Sequence, residues 1–455
     1  MPTTGPRHVS TRRALLAVCC IAALAALLAV GGGSAAQTEA AVGPDVTVFS
    51  FTDIGNNGSA NGFTAYSLGT RSCNRGDVPL NWCDQSSGCA AGAGTEDHPV
   101  IAQNLYRLKN GRFQQIGMSW LKHGFLSTNS FTAGCTGATG QSCQSPPAGS
   151  NQLGIGCTDP YGSSLNGSRP LGRRSQVDGT TGVFPFPPSS PSGPYAVYDQ
   201  RIKVASTDVD PASNAGALYW VEGQYVASDD ASAGNSLNNA SYQRVTVGSS
   251  ASFPLSMTGT FFEKQPAIFA WLAQDPTVAL VNVDVPGSIV QRFHVARKVT
   301  SLGGGLWHYE FAIHNHNSDR SARSFSVQFP VTANFTNIGF LDIEHHSGEP
   351  YAVDDWVASS AGGLVSWSTD TFDTNSNANA LRFATMFNFW FDADQPPTSD
   401  DIHTIGLFKP GTPSSVEFTI SDELFIDGFE SGNTSHWNSI LNGSRPANSS
   451  RVRKP

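Results

Sequence analysis

The chain has 455 residues, with 27 basic and 36 acidic side chains and a net charge of −9. An acidic surface repels phosphate backbones, which sets nucleic acid aside as a partner. Charged residues are only 14% against roughly 25% in average domains, and Ser, Thr, Asn and Gly supply the polar surface, as suits many short strands joined by turns.

Arg7, Arg12 and Arg13 precede an apolar run from Ala14 to Val30 that ends in Ser34-Ala35-Ala36. A charged start, an apolar centre and a small-x-small end describe a secretory signal over residues 1–36, with Gln37 as the expected first residue after cleavage. Thr11 to Leu16 also partly matches a twin-arginine signal. No later segment is long and apolar enough to span a bilayer, so the chain is expected to be secreted or held at the cell surface.

Six cysteines follow the signal: Cys73, Cys83, Cys89, Cys135, Cys143 and Cys157. An even count in an exported chain reads as disulfides. Local pairing favours Cys83–Cys89 and Cys135–Cys143, with Cys73–Cys157 closing the unit. No spacing is Cys-x-x-Cys, which argues against a cysteine zinc or redox site.

Between these cysteines runs His98 to Phe125. At its centre Asn110-Gly111 separates two alternating runs, a hairpin signal because a type I′ turn needs positive φ at both central residues. The turn sets Lys109 opposite Arg112 and Leu108 opposite Phe113. The rest of residues 45–245 is turn-rich, with a Pro-rich connector at Phe184 to Pro194 and strand patterns at Val197–Val204 and Leu218–Val226. A boundary is expected where Ser and Gly interrupt the pattern, at 245–255, and Pro266 to Leu272 suggests a short helix.

In Leu306 to His316 the odd positions are apolar (Trp307, Tyr309, Phe311, Ile313) and the even ones include His308, Glu310, His314 and His316. Strict alternation is a half-buried strand. The run Ile289 to Thr300 alternates likewise, with Phe293 and Val295 inward and Arg292, His294 and Lys298 outward. A turn at Ser301 to Gly305 sets Lys298 opposite His308 and Arg292 opposite His314. Further strand patterns extend to Ile420. The expected fold is all-β: a disulfide-stapled N-terminal β subdomain followed by an immunoglobulin-like β-sandwich over 255–420, then a tail at 421–455.

That tail carries Phe425, Gly428, Phe429, Glu430, Ser431, Gly432 and Trp437, and resembles the FxxGFESGxxxxW element that closes many exported bacterial proteins. The stretches Gly111–Phe125, Gly156–Tyr161, Ala217–Val226, Asn238–Tyr242 and Asn317–Ser321 resemble an uncharacterised family of secreted bacterial proteins. The resemblance implies location and architecture and carries no activity with it.

No Gly-x-Ser-x-Gly, His-Glu-x-x-His, P-loop or dinucleotide motif is present. Four constellations remain. His294, His308, His314 and His316, with Glu310, lie on one face of a hairpin and have the donors for a transition metal. The structural alternative is an ordinary solvent-facing polar surface. Lys122 and His123 close the organising hairpin as a candidate catalytic pair, against a plain hydrogen-bonded histidine. Asp208, Asp210 and Asn214, and then Asp229 and Asp230, are oxygen-rich loops that suit calcium or, as turns, suit only themselves. Trp220 and Tyr225 are candidate aromatic platforms for sugar rings, unless buried. The sequence therefore favours a secreted, non-catalytic module that binds extracellular glycan, matrix or surface protein, with calcium as its ion. The alternative is a metal-dependent extracellular enzyme built on the histidines, and three converging imidazole nitrogens would favour it.

Overall fold

The computed structural model describes residues 1, 42–83, 98–166, 171–185, 188–189 and 196–421. The signal, Cys89, parts of the Pro-rich connector and the FESG tail lie outside the described residues. Among the described residues no helix is long and apolar enough to cross a membrane.

The protein is all-β, as expected, and its strands form three layers. An eleven-stranded N-terminal sheet follows the path Val46–Ala60, Phe63–Asn74, Ile202–Ala205, Arg112–Met118, Val100–Lys109, Leu218–Val226, Ala240–Val247 and Leu255–Phe262, with short strands off its side. A middle sheet has the order Val278–Val285, Gln291–Gly303, Leu306–Asn315, Thr385–Ala393 and Phe335–Leu341. An outer sheet runs Val357–Ala361, Leu364–Ser368, Ala322–Gln328, Ile402–Leu407 and Ser415–Phe418. The middle and outer sheets make the sandwich. Their shared core holds Phe293, Val295, Phe311, Phe325, Trp367, Phe389 and Phe391.

The Asn110-Gly111 hairpin forms as its turn chemistry demands. Asn110 and Gly111 have φ of 52° and 84°, Lys109 pairs with Arg112, and Leu108 pairs with Phe113. The expected second strand is interrupted at Ser119 and Trp120, and Leu121–His123 continues along the same neighbour, pairing with Val100 and Ile101. The segment read as a domain boundary is the turn between Ala240–Val247 and Leu255–Phe262, which pair within the N-terminal sheet. The short helix lies at Phe269–Gln274, two to three residues late.

The disulfide pairing differs from the local expectation. Cys73 bonds Cys135, and Cys143 bonds Cys157. Cys83 is also disulfide-bonded, to a partner outside the described residues. Thr158–Tyr161 pairs with Phe63–Asn74, and a Ser130–Thr158 bridge folds the 130s over the same edge. Cys73, paired with Thr158, thus lies beside Cys157, yet each bonds a cysteine outside the strands.

A second core joins the middle sheet to the N-terminal one. Tyr106, Phe113 and Trp220 pack there with Trp271, Ala296, Ala312 and Met386. The face of the middle sheet that alternation marks as polar is therefore covered, and this layer places the site.

Candidate metal centre

The Gln291–Gly303 and Leu306–Asn315 hairpin turns at three glycines, Gly303, Gly304 and Gly305, all with positive φ. A bulge between Ser301 and Gly303 shifts the pairing two residues from the expected register. Lys298 faces Glu310, Thr300 faces His308, and His294 faces His314. A two-residue shift keeps every side chain on its face. His316 projects the same way as His314 and is held by a bond from its backbone N–H to Arg292 O at 3.0 Å.

His294, His314 and His316 thereby come together, with one nitrogen from each ring lying within 4.8 Å of the others. All three are buried, at 3%, 0% and 0% exposure. The rings of His294 and His314 stack with centroids 5.9 Å apart, and His316 meets both edge-on.

Two neighbours set the tautomers. His294 Nδ1 donates to Asn282 Oδ1 at 2.7 Å, and His316 Nε2 donates to the Ser236 carbonyl at 3.2 Å. The other nitrogen of each ring, and both of His314, have no hydrogen-bond partner among the described residues. Metal-binding histidines are commonly oriented in this way, by a bond from the ring nitrogen that does not ligate. Burial holds the His294 imidazole well below its ordinary titration range, with His316 and His314 beside it adding to the effect. Burial likewise pushes His314 and His316 down to about 3. All three rings are therefore neutral at pH 7, with lone pairs available to a cation.

Two side chains of the facing strand complete the surroundings. Gln224 Nε2 donates to His316 O at 2.8 Å, and its Oε1 has no partner among the described residues. Glu222 is fully buried, accepting from Asn104, Tyr106 and the Ala267 N–H, and its charge interacts with His316. The set can hold a transition metal on three imidazoles, with a buried carboxylate nearby to offset its charge.

His308 and Glu310 stand apart from the triad. Glu310 forms a bidentate pair with Arg112 at 2.7 and 2.8 Å, and His308 Nδ1 meets Asp392 at 2.6 Å. Lys122 and His123 are both buried. Lys122 Nζ donates to Leu68 O at 3.0 Å, and His123 Nδ1 lies 2.9 Å from His98 Nε2. Burial lowers Lys122 to about 7 and His123 to about 3.

The loops expected to hold calcium are engaged by the chain itself. Arg107 Nη1 donates to Asn214 Oδ1 at 2.6 Å and to Asp208 Oδ1 at 3.0 Å, and Lys109 also reaches Asn214. Asp210 accepts from Ala212 and Ser213. Asp229 and Asp230 accept the backbone N–H groups of Asn81 and Val46. Trp220 and Tyr225 are 3% and 0% exposed, because their strand is covered on both faces, so neither is a sugar platform.

The sequence reading missed Asn282 and Ser236. Asn282 pairs with His294 across the strand Val278–Val285. The alternation Val281-Asn282-Val283-Asp284-Val285 is the signal that would have found it. Ser236 reaches the site only through tertiary packing.

No protein-family model matches this chain, and no curated protein is significantly similar to it.

Proposed function

We propose that the protein is an exported, non-catalytic binding or structural module that carries a stabilising transition-metal ion on His294, His314 and His316, in the middle-sheet hairpin beneath the N-terminal sheet. The observation that carries the metal is the convergence of one ring nitrogen from each of three buried histidines, two of whose rings are oriented by bonds to Asn282 and Ser236. Imidazole suits zinc, copper, iron or nickel better than calcium. The convergence by itself would favour an enzyme. Burial supports the non-catalytic reading instead, since a catalytic metal needs an open path and these rings are 3%, 0% and 0% exposed. The disulfides and the signal-like N-terminus support a setting outside the cytoplasm.

Elemental analysis of protein expressed through its own export signal tests this reading. One equivalent of metal is expected, and His314→Ala should lose it. Metal-free protein that neither binds zinc or copper nor melts higher in their presence would end the proposal. A second reading, a metalloenzyme, rests on the ligand count, since three protein ligands leave a coordination position free. Azide added to cobalt-substituted protein separates the two: an unchanged visible spectrum fits the sealed site, and a shifted one fits the enzyme.

A further inference from the structure

We propose a second metal site, for calcium, between Asp45 and Asp230, where the N-terminal sheet folds back onto its first strand. It draws on none of the histidines.

Along the path of the sheet four strands separate Val46–Ala60 from Leu218–Val226. The curl of the sheet nevertheless brings the start of the first against the chain that follows the second. The Val46 N–H donates to Asp230 Oδ1 at 2.9 Å, and Ser241 Oγ donates to Val48 O at 2.6 Å. Two carboxylates are buried together there, Asp45 at 1% and Asp230 at 0% exposure. Burial raises both above the ordinary carboxylate value, and the Asp45 charge raises Asp230 further. The pair expected from the sequence, Asp229 with Asp230, is split, because Asp229 Oδ2 accepts the Asn81 N–H at 2.8 Å.

The neighbours add acceptors. Asn239, 1% exposed, donates Nδ2 to Asp230 Oδ2 at 2.8 Å, and its Oδ1 has no partner among the described residues. The Asn238 side chain lies against Asp45 and favours its charged form, and Asn238 Oδ1 likewise has no partner. Asp45 Oδ1 is a third buried oxygen without one. Of the cations that act on Asp45, Lys264 is exposed and Arg75 is held by both oxygens of Glu263 at 2.8 Å. A shared proton would satisfy at most one of the three oxygens, whereas a cation satisfies all of them. Two negative charges call for a divalent ion, and oxygen donors select a hard one. Two carboxylates and two amides offer up to six oxygens, the lower end of the roughly six to eight that calcium takes. Magnesium keeps several of its waters, and these oxygens are closed to water. Calcium–oxygen distances of about 2.3–2.6 Å are shorter than the roughly 2.8 Å of a water contact, so ligands around a bare ion need expose nothing to solvent.

The test is calorimetric titration of the full exported chain with calcium chloride, and melting with and without it. One equivalent is expected, with a dissociation constant of roughly 10⁻⁴–10⁻³ M as in extracellular modules, together with a higher melting temperature. Magnesium at the same concentration should do neither. Asp45→Asn keeps the shape and removes one of two facing charges. It should melt at or above the calcium-free wild type, yet bind calcium roughly tenfold more weakly or worse, since affinity follows ligand charge. Asn238→Ala, on a half-buried side chain, serves where Asp45→Asn fails to fold, and should also weaken binding. No saturable calcium binding, an equal response to magnesium, or wild-type affinity in both variants would overturn the site. In calcium-free buffer a site this weak empties, so metal content and chelator-sensitive melting there report on the histidine centre alone, and either proposal can fail without the other.

Discussion

Toward the outer sheet, the middle sheet offers Phe293, Val295, Phe311, Phe389 and Phe391, and toward the N-terminal sheet it offers His294, Ala296, Glu310, Ala312 and His314. The first interface is a stack of aromatic rings that admits few polar side chains, Arg297 and His403 among them. Its stability comes from apolar area, which is non-directional. The second is joined by directional contacts: Arg112 to Glu310, Asn388 Nδ2 to Phe113 O, and Gln115 Oε1 to the Met386 N–H. Area tolerates a change of shape better than a buried hydrogen bond tolerates the loss of one partner. The two faces should therefore fail in different ways.

The largest effect is expected on the aromatic side. Phe389 touches Phe325, Phe340, Trp356 and Trp367, so Phe389→Ala should cost about 3–5 kcal/mol by denaturant unfolding. Phe389→Leu should cost much less, and equal losses for both would mean that the face depends on ring geometry rather than area.

Removing metal probes the other side. Chelation should lower the melting temperature of the wild type, with a free-energy loss of about 4 kcal/mol if metal stands at a thousand times its dissociation constant. His314→Ala should melt at one temperature with or without chelator, as read by calorimetry.

Next comes the ion pair at the far end of the same face. Arg112→Ala leaves Glu310, whose side chain is 6% exposed, with His308 Nε2 at 3.5 Å in place of a bidentate partner, at a cost of about 1–3 kcal/mol. Arg112→Lys should recover only part, because lysine lacks the bidentate fork and the flat group that stacks 3.7 Å over Trp390. Full recovery by lysine would reduce the contact to simple charge.

The smallest effect is a pH dependence. The hydrogen bond to Glu310, with that to Asp392, raises the His308 titration above its ordinary value. A raised folded-state value stabilises the protein below the unfolded value near 6.5 and loses that stability as pH rises through the folded one. His308→Gln should thus be less stable than wild type at acidic pH, by a few tenths of a kcal/mol for a half-exposed pair. The gap should close in alkaline buffer. A gap constant across the range would point to packing instead.

Much of this architecture was legible locally. The Asn110-Gly111 turn set its own register because positive φ at both residues admits few alternatives. Alternation placed His294, His314 and His316 on one face, and a two-residue error in pairing left that face unchanged. What covers a face is another matter. The even positions of Leu306–Asn315 looked like solvent-facing residues, and only the packing of the N-terminal sheet over them buried the triad. The same layering hid Trp220 and Tyr225, and Cys135 and Cys143 bond Cys73 and Cys157 rather than each other.

Sequence alone determined the Asn110-Gly111 hairpin, the Leu306–Asn315 strand and the side on which each of their residues points, because the pleat repeats every two residues wherever the strand lies. Tertiary structure decided which sides meet water and which side chains converge. Those outcomes depend on contacts between segments far apart in the chain, and no local period records them.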